Sequence, residues 1–311
     1  MISLIVPVHN EESAIRPFLE AVTQVYKTEL RQHALEIVFV NDGSTDRTEF
    51  MIRSWAGDDM ALRVVNFSRN FGKEAALSAG LTYAKGDAVI PMDVDLQDPP
   101  CVIPQMVDAW LQGAKVVNAR RKERGSDTWF KRTSASAFYR VFNALADHPI
   151  PQNVGDFRLL DREVVQAILE LGERSRFNKA LFSWVGFETR EIEYERPARE
   201  HGSSRWSYWK LWKLALDGIF ASSTTPLRIW TYVGIAMSLF SLLYSLFILF
   251  WILALGIDVP GYASTLIIIL TFGGLNMFAL GIIGEYVGRI YEEVRQRPLY
   301  VVQSVHESSQ S

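Results

Sequence analysis

Two apolar runs late in the chain restrict its fold more than any other feature. Residues 229–255 and 262–283 contain no Asp, Glu, Lys or Arg. Coiled as helices, both exceed the roughly 20 residues needed to cross about 30 Å of hydrocarbon. A helix that is apolar all round has no face to give to water, so two transmembrane helices are expected. The connection over residues 256–261 carries no Lys or Arg, whereas Arg228 precedes the first run and Arg289, Arg295 and Arg297 follow the second. That asymmetry puts both chain ends on the cytoplasmic side. Gly273, Gly274, Gly281 and Gly284 give the second helix a small-residue face, suited to its neighbour or to a second copy in a homo-oligomer.

The chain before about Ser222 reads as a water-soluble protein. Its strand-like runs, at residues 3–6, 35–40, 62–67, 88–92 and 115–119, alternate with helix-like segments at 13–26, 46–56, 73–84 and 102–112. Alternating β and α predicts a mostly parallel sheet covered on both faces. Residues 1–7 are apolar but lack a basic flank and run directly into the first strand pattern, so no signal peptide is expected. The formal net charge of −3 gives no electrostatic case for nucleic acid, and the single cysteine, Cys101, excludes an intrachain disulfide.

Polar clusters stand at the strand ends: residues 9–12, 41–46, 68–70 and 93–98. Ligands of open α/β sheets bind outside the carboxyl ends of the strands. Asp93 and Asp95 are two residues apart, and in extended backbone i and i+2 share a face. Such a pair suits a hard divalent cation carrying phosphates, although a bare Asp-x-Asp before Pro99-Pro100 is also compatible with a solvated turn. Neither G-x-G-x-x-G nor G-x-x-x-x-G-K-[ST] is present, so phosphate handling falls to a metal and to side chains.

Two further stretches mix basic and aromatic residues. One joins Arg120, Arg121, Lys122, Arg124, Lys131, Arg132 and Arg140 with Trp129, Phe130, Phe138 and Tyr139; the other runs from Trp206 to Lys213. Both suit a surface of anionic lipid head groups, and an interfacial helix is expected over residues 207–220.

Taken together, Pro7-Val8-His9-Asn10-Glu11, Asn41-Asp42-Gly43-Ser44-Thr45-Asp46 and the Asp93 cluster resemble the family-2 glycosyltransferases of GT-A fold, with their P-x-x-N-E and N-D-G-S-x-D signatures. The runs from Asn70 to Leu77, Asp93 to Pro100, Gly155 to Asp161 and His201 to Trp206, with the two spans, narrow the likeness. They are most similar to polyprenyl-phosphate glycosyltransferases, the bactoprenol glucosyltransferases in particular. Cys101 departs from the acidic residue that relatives often carry there.

The resemblance implies a Rossmann-like α/β catalytic domain over residues 1–205, an interfacial region over 206–228, two spans over 229–288 and a cytoplasmic tail over 289–311. It also implies transfer of glucose from a UDP-sugar to undecaprenyl phosphate at the inner membrane for surface-glycan modification, with mannose or aminoarabinose as alternative sugars. Pro7, Glu11 and Asp42 would hold the uridine. Asp93 and Asp95, helped by Gln97, would place Mg²⁺ or Mn²⁺ on the diphosphate. Lys73 either approaches the nucleotide or begins a helix, and Arg205 would lie near the donor diphosphate. Arg121, Arg132 and Ser136 would clamp the acceptor phosphate, with Asp156 beside the anomeric centre; Arg124, Lys131 and Arg140 would meet head groups.

Two other readings compete. A processive polysaccharide synthase needs Q-x-x-R-W, where this chain has Gly202-Ser203-Ser204-Arg205-Trp206. A non-catalytic membrane scaffold or translocation partner would explain the spans but not the strand-end carboxylates.

Overall fold

A computed structural model describes residues 1–55, 60–122, 143, 154–174, 178–195, 223–255 and 261–308. Among the described residues eight strands, numbered in chain order, form one sheet in the order β7-β5-β6-β4-β1-β2-β3-β8. Its centre is β1 (Ile2–Val8), β2 (Leu35–Asn41), β3 (Ala61–Phe67) and β4 (Ala88–Pro91), with β1 parallel to both β2 and β4, and β2 parallel to β3. These strands are rich in Val, Ile and Leu and almost wholly buried, as strands covered on both faces must be. Helix α1 (Glu12–Val25) buries Ile15, Phe18, Leu19 and Val22, spaced as one helical face. Helices α2 (Thr48–Arg53), α3 (Lys73–Tyr83) and α4 (Ile103–Leu111) follow within the segments expected for them.

The flanks depart from simple alternation. Strand β6 (Val154–Asp161) is inserted antiparallel between β4 and β5 (Val116–Arg121), and β7 (Thr189–Tyr194) runs parallel to β5 at the sheet's edge. Strands β4, β5 and β7 therefore share a direction while β6 opposes it, so the start of β6 reaches the ligand edge. Helices α5 (Arg162–Glu170) and α6 (Asn178–Trp184) complete this side.

The C-terminal segment is not simply a tail. Residues Val302–Glu307 form β8, antiparallel to β3, so the sheet includes part of the segment expected to lie outside the catalytic domain. Tyr300 stacks on Phe67 at 4.9 Å, and Ser68 N donates to Val301 O at 3.0 Å. Apolar packing and backbone pairing together fix this strand within its own chain.

Helices α7 (Thr225–Leu255) and α8 (Tyr262–Arg295) contain the two apolar runs and extend beyond both. Each is long and apolar enough to cross a membrane, and the apolar window of each is entirely exposed in the protein alone. Past residue 283, α8 continues as a charged helix that meets the domain: its Glu293 carboxylate accepts Arg174 N at 2.6 Å, and Tyr286 donates to Ser223 O at 2.7 Å. The interfacial helix expected over 207–220 lies outside the described residues.

Candidate active site

The ends of β1 and β2 are stitched together by short polar side chains. Asn10, at φ 56° in the left-handed region that Asn tolerates, accepts Thr45 N at 2.8 Å and donates its own N–H to Ser44 Oγ at 3.0 Å. Glu11 precedes the first turn of α1, with its N–H donated to Thr48 Oγ1 at 2.9 Å. Pro7 is paired with Val40 in the β1–β2 ladder. The three residues expected at the uridine thus stand on adjacent strand ends.

Asp42 is buried, and its carboxylate accepts Phe71 N at 2.6 Å and Gly72 N at 2.9 Å. Gly43 makes this approach possible: its φ is +65°, and a Cβ there would lie 2.5 Å from the Arg69 carbonyl carbon. Asp42 consequently anchors the loop that delivers Lys73 to the first position of α3.

Lys73 begins a helix, one of the two alternatives that the sequence offers. Its ammonium bridges two expected site carboxylates, at 2.7 Å from Asp93 Oδ1 and 2.9 Å from Asp156 Oδ2. Burial opposes the lysine's charge, but the charges of Asp156 and then Asp93 outweigh it and raise its pKa above the ordinary value. Lys73 stays protonated across the physiological range.

The Asp-x-Asp pair is held differently from expectation. Strand β4 stops at Pro91, Val94 and Asp95 lie in a turn, and Leu96 takes φ 55°. The shared-face argument for extended backbone therefore does not apply. A turn redirects Asp95, whose Oδ1 accepts Gln97 N at 3.1 Å. Among the described residues no group of three or more His, Cys, Asp or Glu side chains could hold a metal by itself.

Arg121 ends β5 and faces this cluster from the other side. Its Nε donates to Tyr194 Oη at 3.1 Å, and the same hydroxyl donates to Asp98 Oδ1 at 2.5 Å. Burial and then the Asp98 carboxylate push the Tyr194 phenol up to about 12. A Cβ on Gly155 would lie 3.0 Å from an Arg121 terminal nitrogen, so the glycine before Asp156 leaves room for the guanidinium.

Behind Asp156, Arg158 is buried, donates to Gly155 O at 2.7 Å and lies 4.3 Å over the Phe182 ring. Burial lowers its pKa to about 10 against the pull of Asp156. Sequence reasoning assigned no role to Tyr194, Asp98 or Arg158. Asp98 and Arg158 fall inside motifs already singled out, whereas Tyr194 carried no local signal. Arg132, Ser136 and Arg205 lie outside the described residues, as do Arg124, Lys131 and Arg140.

The cluster is electrostatically mixed. Carboxylates converge with a protonated lysine and a guanidinium beyond the carboxyl ends of the central parallel strands.

The model of the family described as glycosyl transferase family 2 matches residues 3–169. An uncharacterized glycosyltransferase of Synechocystis is 48% identical over 301 residues, covering 97% of this chain and 94% of that protein. The SfII prophage-derived bactoprenol glucosyl transferase of Shigella flexneri is 48% identical over 305 residues, 98% of each chain. Among solved structures, a mannosyltransferase from Pyrobaculum calidifontis in complex with GDP-Man and Mn²⁺ aligns with a TM-score of 0.47 at 19% identity, over 92% of this chain and 86% of that one.

Proposed function

The chain belongs to glycosyl transferase family 2 and is a glycosyltransferase, and from that premise we propose that it transfers glucose from UDP-glucose to undecaprenyl phosphate at the cytoplasmic face of a membrane. The observation that carries this reading is the extent of the likeness: 48% identity to a bactoprenol glucosyl transferase runs through 98% of both chains, membrane helices included. The product would be a lipid-linked sugar for surface-glycan modification.

The chemistry follows from the acceptor. A phosphate monoester has a second pKa of about 6 and is largely ionised at neutral pH. Its oxygen can attack the anomeric carbon without a strong base. The new phosphate–C1 bond forms as the C1–diphosphate bond breaks, the bonding pair leaves with UDP, and the anomeric configuration inverts.

What the protein must supply is charge management. Asp93, Asp95 and the Gln97 amide offer the hard oxygen donors that suit Mg²⁺ or Mn²⁺, with diphosphate oxygens completing the shell. The Lys73 ammonium resting on Asp93 supports a cation at this carboxylate. When bound, the metal would neutralise charge on the leaving diphosphate. Pro7, Glu11 and Asp42 hold the uridine end of the donor. Arg121, with Arg132 and Ser136, holds the acceptor phosphate, Arg205 meets the diphosphate, and Asp156 orients the attacking oxygen. The two helices anchor the catalytic domain, so a soluble donor meets a lipid acceptor at the interface.

The test is UDP release by the purified full chain in detergent, with Mg²⁺ or Mn²⁺ against chelator, with and without undecaprenyl phosphate. Lipid-stimulated, metal-dependent release from UDP-glucose is expected, and Asp95→Ala should abolish metal-dependent donor binding in calorimetry. Turnover of GDP-mannose or a UDP-aminoarabinose instead would revise the donor. No turnover with any donor would favour a scaffold.

A further inference from the structure

The Arg121 side chain is held by a buried anchor that the chemistry above does not use. Arg121 and Tyr194 are direct partners in the parallel β5–β7 ladder, and Tyr194 O accepts Lys122 N at 3.0 Å just beyond it. The tyrosine ring is 5% exposed and packed edge-on against Phe157 at 5.9 Å. Below it the Asp98 side chain is also 5% exposed, while Arg121 is 32% exposed. The network therefore runs from a buried carboxylate, through a buried hydroxyl, to a guanidinium at the surface of the site.

Each atom in this chain has a defined direction. The Tyr194 hydroxyl gives its one proton to Asp98 and takes the Arg121 Nε–H on a lone pair, at 2.5 and 3.1 Å. A buried carboxylate is costly unless hydrogen-bonded, so the Asp98 contact fixes the hydroxyl, and the hydroxyl in turn fixes Nε. An Arg121 terminal nitrogen stays 3.7 Å from Asp98, too far for a hydrogen bond, and lies beside Gly155 instead. The guanidinium is thus held along its Nε edge. One of its terminal nitrogens lies against Gly155, the residue before Asp156, and the terminal N–H groups stay available to grip a tetrahedral anion.

We propose that Tyr194, seated on Asp98, is a positioning residue that sets the Arg121 guanidinium for the acceptor phosphate; this rests on the reading of Arg121 given above. Without the hydroxyl, Asp98 loses its short donor, and the Arg121 terminal nitrogen, 3.7 Å away, is a cation close enough to replace it. The guanidinium then turns toward Asp98 and away from the acceptor.

The experiment is steady-state transfer by the full-length protein in detergent, with UDP-glucose and undecaprenyl phosphate each varied in turn. Tyr194→Phe should raise KM for undecaprenyl phosphate about tenfold, the effect of one charge-assisted hydrogen bond, while kcat and KM for UDP-glucose stay within about twofold and the melting temperature holds. Asp98→Asn keeps an acceptor for the hydroxyl and should raise the same KM by less. An unchanged acceptor KM in Tyr194→Phe, beside a raised one in Arg121→Ala, would overturn the positioning role. So would equal losses toward both substrates accompanied by a fall in melting temperature, or a larger effect of Asp98→Asn than of Tyr194→Phe. If Arg121→Ala itself leaves acceptor KM unchanged, the assignment of Arg121 to the acceptor fails first.

Discussion

The two edges of the sheet carry similar ingredients and use them in opposite ways. At the edge where β1 to β4 begin, Glu36 accepts Ser3 Oγ and Lys85 N, both at 2.5 Å, and faces Arg63 at 3.7 Å; Arg63 in turn bonds Glu307 at 3.0 Å and the Tyr83 carbonyl. Glu36 and Arg63 side chains are 5% and 7% exposed. At the opposite edge, Lys73, Asp93 and Asp156 are 43%, 38% and 19% exposed. Charges in the first cluster are buried against one another, and each is also held by a backbone group that cannot leave, Lys85 N for Glu36 and Tyr83 O for Arg63. Those in the second pair with one another in the presence of water, so a ligand can exchange for any partner. Burial and the kind of partner, rather than charge itself, separate a staple from a site.

The sharpest way to break this contrast is Asp156→Asn. If the open edge is a site, transfer should fall by about a hundredfold or more, the scale of lost acid–base or orienting assistance. UDP-glucose affinity and melting temperature should hardly move. A variant with normal turnover removes the proposed role, and one that loses stability instead would make this edge a second staple.

The reciprocal change is Glu36→Ala. Removing one partner of a buried pair leaves the other charge uncompensated and costs about 3 kcal/mol. Thermal unfolding of the detergent-solubilised protein should shift down, while KM for both substrates stays put at a temperature where the variant remains folded. A substrate-specific effect would mean that the two edges communicate.

How much of this contrast could be read beforehand depends on the direction of each strand. Asp42, Asp93 and the residues of the first turn can be grouped from sequence because β1, β2 and β4 run the same way, so polar residues after apolar runs collect at one edge. Asp156 breaks that rule. It sits near the start of β6, which runs backwards, and only family likeness pointed to it. Tyr194 is the last residue of an edge strand, and its role depends on an Arg121 pairing that no sequence spacing encodes. Strand β8 escaped for a similar reason: a short run after a long apolar helix gives no sign that it returns 240 or so residues back to β3, as the Arg63–Glu307 contact at a separation of 244 shows. The extended-backbone argument for the Asp93/Asp95 pair fails because Pro91 ends the strand before the pair begins.

The smallest effect tests the staple edge where its closure is least complete. Asp161 ends β6 opposite Ala88, caps α5 by accepting Glu163 N at 3.0 Å, and accepts Trp110 Nε1 at 2.8 Å. Its side chain is 16% exposed, between the values of Glu36 and those of the open cluster. Burial works against its charge, but the Trp110, Glu163 and Lys115 hydrogen bonds prevail and hold its pKa below the ordinary 3.8. A depressed carboxylate contributes stability that is fully present above 3.8 and fades as pH falls through the lowered folded value. Asp161→Ala should therefore cost about 1 kcal/mol at neutral pH, the typical value of a helix cap. The difference from the parent should shrink as unfolding is followed into acid below pH 3.8. A difference that stays constant there would assign the effect to packing around Trp110 rather than to the charge, and would place Asp161 with the wholly buried staple instead of between the two edges.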